Sequence, residues 1–484
     1  MEKDFQEVYR PKFHYTAQEY IINDPNGLVF YEGEYHLMHQ YNVHNQIHWG
    51  HAISRDLLHW RRLPPALAPD EIGQIWSGSA VVDWNNTSGL QQGEEKVLAA
   101  LFTYNEHIDV RQSQGLAYSC DRGRTWHKHK NNPILLPEGK KDFRDPKVFW
   151  YAPLSRWIMV LACFNHVEFY YSFNLLQWEF SGKFGEGEGS HGGVWECPDL
   201  FELEVDGRKE DTRWVLTVSI NNGAPAGGTG MQYFIGEFDG KSFFNENSPD
   251  QVLWMDYGKD FYAGVTWNDI PKEDGRRLMI GWSDNWLYRD VLPTFPFKGQ
   301  FSIVRELYLK QTEDGIRLYQ QPVRELEKRK VLKVHKTVHV LEKGEEEKLP
   351  FRFSALDFCC SLEALNPERG KAEVRLISGE NEFTRIGYNF QKELLYVDRS
   401  CSGLSPHAEF SGVYETPIKG CGGKMDFRIL IDVSQIEVFA QQGAVVMTNL
   451  FFPKKNDCGY EISIHADDTS IILTDYKASD IVLN

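Results

Sequence analysis

The sequence predicts an all-β protein, a five-bladed β-propeller followed by a C-terminal β-sandwich, and three of its features carry that prediction. A unit made of a short polar or glycine-containing head, an apolar strand, a charged or glycine turn and a second apolar strand occurs five times. A second motif returns at the close of the units: SRDLLHW (54–60), SCDRGRTW (119–126), SFNLLQW (172–178) and a weaker EFDGKSF (237–243). Repeats of this length built from strands and turns are the signature of propeller blades. From about residue 337 the repeat gives way to short alternating strands, the pattern of an antiparallel sandwich.

In chain order the units read NDPNGLVFYEGEYHLMHQYN from Asn23, SGSAVVDW with KVLAALFTYN from Ser77, and RDPKVFWYAPLSRWIMVLACF from Arg144. ECPDLFELEVDGRKEDTRWVLTVSI follows from Glu196 and FYAGVTWNDIPKEDGRRLMIGWSDN from Phe261, so the starts lie 54, 67, 52 and 65 residues apart. β-Branched and aromatic runs broken by NG, DG, EG and GG read as hairpin strands. VRELEKRK, rich in Glu, Lys and Arg and free of turn residues, predicts a linker with a short helix over 319–336. The propeller is then expected over 1–318 and the sandwich over 337–484.

With 484 residues, 42% hydrophobic and 14% aromatic content, the chain can bury more than one core. Its 14 Trp and 22 Tyr exceed what packing needs, and aromatic faces are what sugar rings stack on. A net charge of −17 without a long basic run disfavours nucleic acid and anionic membranes as partners. No apolar run approaches the roughly 20 residues of a membrane span. The N-terminal stretch MEKDFQEVYRPKFHY lacks a basic region followed by an apolar one, so a cytoplasmic location is expected, with a secreted protein given without its signal as the alternative. Eight cysteines without CxxC spacing read as reduced thiols rather than as a disulfide framework or a zinc site. The six histidines from His36 to His59 fall on strands and loops without ligand spacing, so they read as structural and no metal is expected.

Equivalent positions of successive blades converge on the propeller axis, so Asp24, Asp145 and Glu196, at the heads of three units, are expected to meet around one pocket. Two carboxyl groups flanking a glycosidic bond suffice for its hydrolysis, one ionised and one protonated. Asp24 sits in the tight turn Asn23-Asp24-Pro25-Asn26-Gly27, where Asn23, Asn26 and backbone N–H groups can donate to it, as suits a nucleophile. Glu196 lies between Trp195 and Cys197, an apolar setting that disfavours charge and suits an acid/base. Asp145 follows Arg144 directly, and a carboxylate beside that guanidinium is expected to stay ionised and to bind sugar hydroxyls.

At these residues the chain resembles glycoside hydrolase family 32, the β-fructofuranosidases. The resemblance rests on NDPNG (23–27), WGH (49–51), WSGSAVVDWNNTSG (76–89), FRDPKVFW (143–150), WECPDLF (195–201), DFYA (260–263) and VREL (304–307), and it extends over nearly the whole chain. It implies a five-bladed propeller with a C-terminal sandwich and a retaining, double-displacement mechanism. In that scheme Asp24 is the nucleophile, Glu196 the acid/base, and Asp145 the residue that binds the fructose hydroxyls and stabilises the transition state. It further implies a fructose pocket lined by Asn23, Gln40, Trp49, Trp76, Ser77 and Arg144, with Trp282 or Trp286 as an aromatic wall and no metal or organic cofactor. The WSGSAVVDWNNTSG and SHGGVWECPDLF stretches look most like the fructan exohydrolase and levanase branch. Three positions depart from the family pattern: Ile21-Ile22 replaces Trp-Met, the segment from Gln40 to Trp49 is shorter and carries Val43-His44, and Phe297 and Val304 stand for Trp and Pro. The first two fall where the leaving group should sit.

The expected activity is release of terminal β-D-fructofuranosyl residues from fructans, fructo-oligosaccharides or sucrose, by a monomer or homodimer. The alternatives are a narrow invertase-type hydrolase of sucrose or sucrose-6-phosphate, an inverting arabinan or xylan glycosidase on a five-bladed propeller, and a non-catalytic carbohydrate-binding propeller. The sandwich is expected to cover a propeller flank.

Overall fold

A computed structural model describes residues 7–107, 111–368, 370–420, 423–454 and 459–483. The first blade is an antiparallel sheet of Tyr20–Tyr31, Glu34–Val43, Gln46–Ser54 and Arg61–Leu67. The second, third and fourth blades begin with the inner strands Gly73–Asp83, Phe143–Tyr151 and Trp195–Val205, each followed outward by three antiparallel strands. Tyr262–Thr266, Arg277–Trp282, Arg305–Thr312 and Gly315–Pro322 form the fifth, joined to the fourth through the single pair Val205–Leu309. The five inner strands contact one another in a closed ring. Phe297–Lys298 seals that ring by pairing in parallel with Tyr20–Ile21 at the start of the first blade.

Each blade buries both of its faces, so the apolar positions of the repeat become inter-blade cores. Val29, Met38, Ile75 and Phe102 pack between the first and second blades; Val81, Leu101, Val148 and Met159 do so between the second and third. The closing motif has a common physical basis. Asp56, Asp121, Asn174 and Asp239 each accept two successive backbone N–H groups two to four residues downstream, which turns the chain into the outermost strand.

The sandwich consists of two six-stranded sheets enclosing one apolar core. One sheet runs in the order Lys330–Leu341, Ile471–Ile481, Leu356–Ala364, Lys424–Ile431, Gln435–Ala440, Val445–Leu450, and it packs Leu430, Phe439 and Val446 against the propeller. The other includes Glu382–Asn389, Leu394–Cys401 and Val413–Pro417. Residues 319–322 complete the fifth blade and 330–336 belong to the first sandwich strand, so the connector narrows to a 3-10 turn at Arg324–Arg329. The expected short helix is present as this 3-10 turn within VRELEKRK, and the linker is shorter than 319–336 because the residues on either side are taken up by strand pairing. Cys120, Cys163, Cys197, Cys359, Cys360 and Cys401 are free thiols; Cys421 and Cys458 lie outside the described residues. Among the described residues no helix is long and apolar enough to cross a membrane.

Candidate active site

The site is built from five bulges. On the first inner strand the register slips between Ile22 and Pro25, setting Asn23 and Asp24 opposite Gln40 alone. The same two-against-one slip places Trp76 and Ser77 opposite Thr103, Asp145 and Pro146 opposite Leu161, Cys197 and Pro198 opposite Val218, and Ala263 and Gly264 opposite Gly281. A bulge bends a strand and re-aims its side chains, and here the bulges turn the repeat heads towards the axis. Asp145, Cys197 and Ala263 take left-handed backbone angles, with φ of 63°, 47° and 52°. Such angles are uncommon for residues with a side chain and are held by the surrounding structure.

The three acids meet. Cys197 Sγ lies 3.5 Å from Asp24 Oδ2 and 3.6 Å from Asp145 Oδ2, and the Cys197 backbone N–H donates to Asp145 Oδ2 at 2.9 Å. Glu196 is the preceding residue, and the Arg144 guanidinium joins it to the group through bonds of 2.9 and 3.3 Å to Oε1. Besides the Cys197 thiol, Asp24 accepts from three neutral side chains: Asn23 Nδ2 at 3.1 Å, Gln40 Nε2 at 3.0 Å and Ser77 Oγ at 2.6 Å. Asn26 does not donate to it; its Oδ1 instead accepts from the Gly78 backbone and ties the first bulge to the second.

Arg144 is not primarily the partner of Asp145. Its Nε stands 3.9 Å from Asp145 Oδ2, while its hydrogen bonds go to Glu196, to Asp142 at 2.6 Å and to Gln112 at 3.2 Å. Consecutive residues in a bulged strand diverge, so adjacency in sequence did not give contact in space. Burial raises the Asp145 carboxyl; the Arg144 charge opposes this, Asp24 and Glu196 reinforce it, and the group is pushed up to about 7. The expectation of a firmly ionised Asp145 is thus corrected. Burial also raises Glu196, with Arg144 and a hydrogen bond from Tyr262 pulling against it and Asp24 pushing the same way. That direction was expected, but the surroundings were not, since the Glu196 carboxylate is gripped by Arg144 and Tyr262.

Asn23, Gln40, Ser77 and Arg144 therefore stand at the acids. Trp76 is half-buried at the second bulge. Trp49 is fully buried and supports that bulge from behind, its indole N–H donating to Trp76 O at 2.9 Å. Trp282 is likewise buried, and Trp286, whose ring centroid lies 5.1 Å from that of Trp282, presents the exposed aromatic face. Residue type alone could not separate these four. Cys197 and Tyr262 are the residues that sequence reasoning left out; DFYA at the fifth repeat head was the available signal for Tyr262. The His36–His51 pair, 3.0 Å apart, and His39 beside Tyr15 are buried in the first blade. Among the described residues one set of three potential metal ligands lies close together, Cys163, His166 and Glu168, and Lys140 already pairs with that Glu168 at 2.8 Å.

The family model for the glycosyl hydrolases family 32 N-terminal domain matches residues 14–322, and that for the family 32 C terminal matches 322–480. The chain belongs to glycoside hydrolase family 32. It is 46% identical to the levanase of Bacillus subtilis (strain 168) over 472 residues, 95% of this chain and 68% of that protein. It is 41% identical to the levanase of Bacillus sp. (strain L7), of which it spans only 50%. The extracellular exo-inulinase of Aspergillus awamori is 34% identical over 94% of this chain and 91% of its own length. The crystal structure of that organism's exo-inulinase superposes with a TM-score of 0.92 at 31% identity, covering 99% of both chains. The protein is thus a glycosidase of propeller-plus-sandwich architecture.

Proposed function

We propose that this family 32 glycosidase is an exo-acting, retaining β-fructosidase that releases terminal β-D-fructofuranosyl units from fructans and short fructo-oligosaccharides, with sucrose as a further substrate. The observation that carries the reading is the convergence of Asp24, Asp145 and Glu196 on the Cys197 bulge. The levanase and exo-inulinase relatives support the substrate class.

Asp24 attacks the anomeric carbon of fructose as the bond to the leaving oxygen breaks, and Glu196 gives that oxygen its proton. The product is a fructosyl ester on Asp24. The Glu196 carboxylate then takes a proton from water, the water oxygen bonds to the anomeric carbon, and Asp24 leaves. Both Asp24 oxygens are occupied as acceptors, which suits the nucleophile, and the raised Glu196 suits the proton donor. Asp145, near 7, accepts from or donates to the ring hydroxyls. Asn23, Gln40, Ser77 and Arg144 complete the pocket, and Trp286 forms its outer wall.

Incubation with levan, inulin, kestose and sucrose, with the first-formed fructose anomer read by proton NMR, tests the reading. Free fructose as the early product and retention as the β anomer are expected. Inactivity on all four, or release of the α anomer first, would overturn it.

A further inference from the structure

The sandwich contributes a fully buried cation to the fifth blade. Arg399, on Leu394–Cys401, donates from Nη1 to Asp260 Oδ2 at 2.7 Å and to Leu450 O at 2.9 Å. Its Nη2 donates to the Tyr288 hydroxyl at 2.9 Å, and its guanidinium lies 3.9 Å over the Phe410 ring. Tyr288 also donates to Asp260 Oδ1, while the Leu450 backbone N–H donates to Oδ2 at 2.8 Å. One planar fork thus holds two separate pieces of the propeller in register.

Both pieces lead to the site. Asp260 opens the DFYA segment, two residues before Tyr262, whose hydroxyl donates to Glu196 Oε2. Tyr288 closes the turn that begins at Asn285, and that turn carries Trp286. The Trp286 ring packs 6.4 Å from Tyr262, so the acid/base partner and the outer wall adjoin. Tyr288, Leu450 and Phe410 form a satellite apolar cluster around the fork that excludes water from it.

We propose that Arg399 is a positioning residue, through which the sandwich sets the placement of Tyr262 against Glu196 and of Trp286 against the substrate. The C-terminal domain is then a working part of the site and not only a cover for the propeller flank. The kinetic form of the claim rests on the β-fructosidase reading above; the structural form does not.

The groups facing Glu196 are Arg144, Tyr262, Asp24, Asp145 and Cys197, and of these Tyr262 is the one tied to Arg399 through its own strand. Loss of the Tyr262 hydrogen bond raises Glu196, so its acid form survives to higher pH and the alkaline limb of kcat/KM moves upward. Arg399→Met, Arg399→Lys, Asp260→Asn, Tyr262→Phe and the Arg399→Met/Tyr262→Phe pair are compared on a fructo-oligosaccharide. His14→Asn, which breaks a different buried contact with the sandwich, serves as the control for simple destabilisation.

Arg399→Met and Asp260→Asn should shift the alkaline limb upward by about half a pH unit or more and raise KM about five-fold. Arg399→Lys should fall between these and wild type. The pair should shift the limb no further than Tyr262→Phe alone, because both changes remove the same bond. Hydrogen exchange should quicken at 260–263 and 284–288 in Arg399→Met and not in His14→Asn. A wild-type limb and KM in Arg399→Met, or exchange that quickens equally in both variants, would overturn the proposal. If the wild type fails to turn over any fructoside, the functional reading falls, while the exchange comparison still decides whether Arg399 holds these segments.

Discussion

The Arg144 guanidinium bonds Glu196 Oε1 at 2.9 Å and stops 3.9 Å short of Asp145. The cation of the RDP motif therefore serves the acid of the next blade more than its own neighbour. Its positive charge favours the ionised form of Glu196, so it holds in check the rise that burial imposes on that carboxyl. Replacing Arg144 by Met should raise Glu196 further and move the alkaline limb of kcat/KM to higher pH. Asp145 should rise as well, since Arg144 is the main influence lowering it. Turnover should fall on the order of 100-fold, because the proton donor loses the two bonds that orient it. A pH–rate profile of the variant checks both the direction and the loss.

The two displacement steps require Asp24 and Glu196 in different capacities. Glu196→Gln should lower kcat by roughly 10²–10⁴-fold while leaving substrate binding within a few-fold, since the amide keeps the shape and loses the proton. Asp24→Asn should be at least as severe, because no fructosyl ester can form. Calorimetric titration with a short fructo-oligosaccharide, beside turnover, separates binding from chemistry. Unchanged turnover in Glu196→Gln would reassign the acid.

Cys197 is constrained more by its backbone than by its thiol. Its N–H is a hydrogen-bond donor to Asp145, and its φ of 47° lies in the left-handed region. Cys197→Ser keeps both the backbone and a donor between Asp24 and Asp145, so activity should stay within about ten-fold. A β-branched residue is strongly disfavoured at positive φ, so Cys197→Val should flatten the bulge, pull Glu196 away from Arg144 and cost far more activity than the loss of the sulfur. Parallel kinetics on the Ser, Ala and Val variants would expose the ranking. Equal losses in all three would assign the effect to the thiol.

The architecture was legible because each blade repeats the same local solution. Asp56, Asp121, Asn174 and Asp239 are acceptors for the same turn, and the repeat heads all fall on bulged inner strands. Convergence of Asp24, Asp145 and Glu196 follows from that symmetry alone. What the symmetry does not carry is which neighbour each side chain meets. A strand sends Trp195 and Glu196 to opposite faces, so the large apolar neighbour of Glu196 in sequence is not part of its surroundings in space. The surroundings come from Arg144, 52 residues upstream, and Tyr262, 66 residues downstream. Likewise nothing in GWSDNW distinguishes buried Trp282 from exposed Trp286, a difference set by the turn at Asn285. The bounds of the connector were less legible than its short helix, because a 3-10 turn of six residues leaves too little sequence for a periodicity to mark where the flanking strands end.

The contact between the domains gives a pH signature of its own. His14, on the segment before the first blade, lies fully buried between Asp432 and Glu437 of the sandwich, 2.9 Å from each. Burial alone would push the imidazole down, but the hydrogen bonds and charges of the two carboxylates outweigh it and raise it to about 9. A histidine raised on folding contributes stability that is complete below its unfolded value of 6.5 and is lost as pH climbs through the folded value. Against the burial that would raise them, Asp432 is lowered chiefly by His14 and Glu437 by Arg305 and then His14, so their share is present at neutral pH and lost on acidification. The stability of the wild type against thermal unfolding should therefore fall steadily between about pH 6.5 and 9. His14→Asn should unfold more easily at pH 6, by about 3 kcal/mol, because Asp432 is left buried without its cation while Glu437 keeps Arg305 at 2.7 Å. The same variant should lose less stability between pH 6.5 and 9, so the two melting curves converge on the alkaline side. Parallel curves across that range would show that His14 enters the folded protein uncharged.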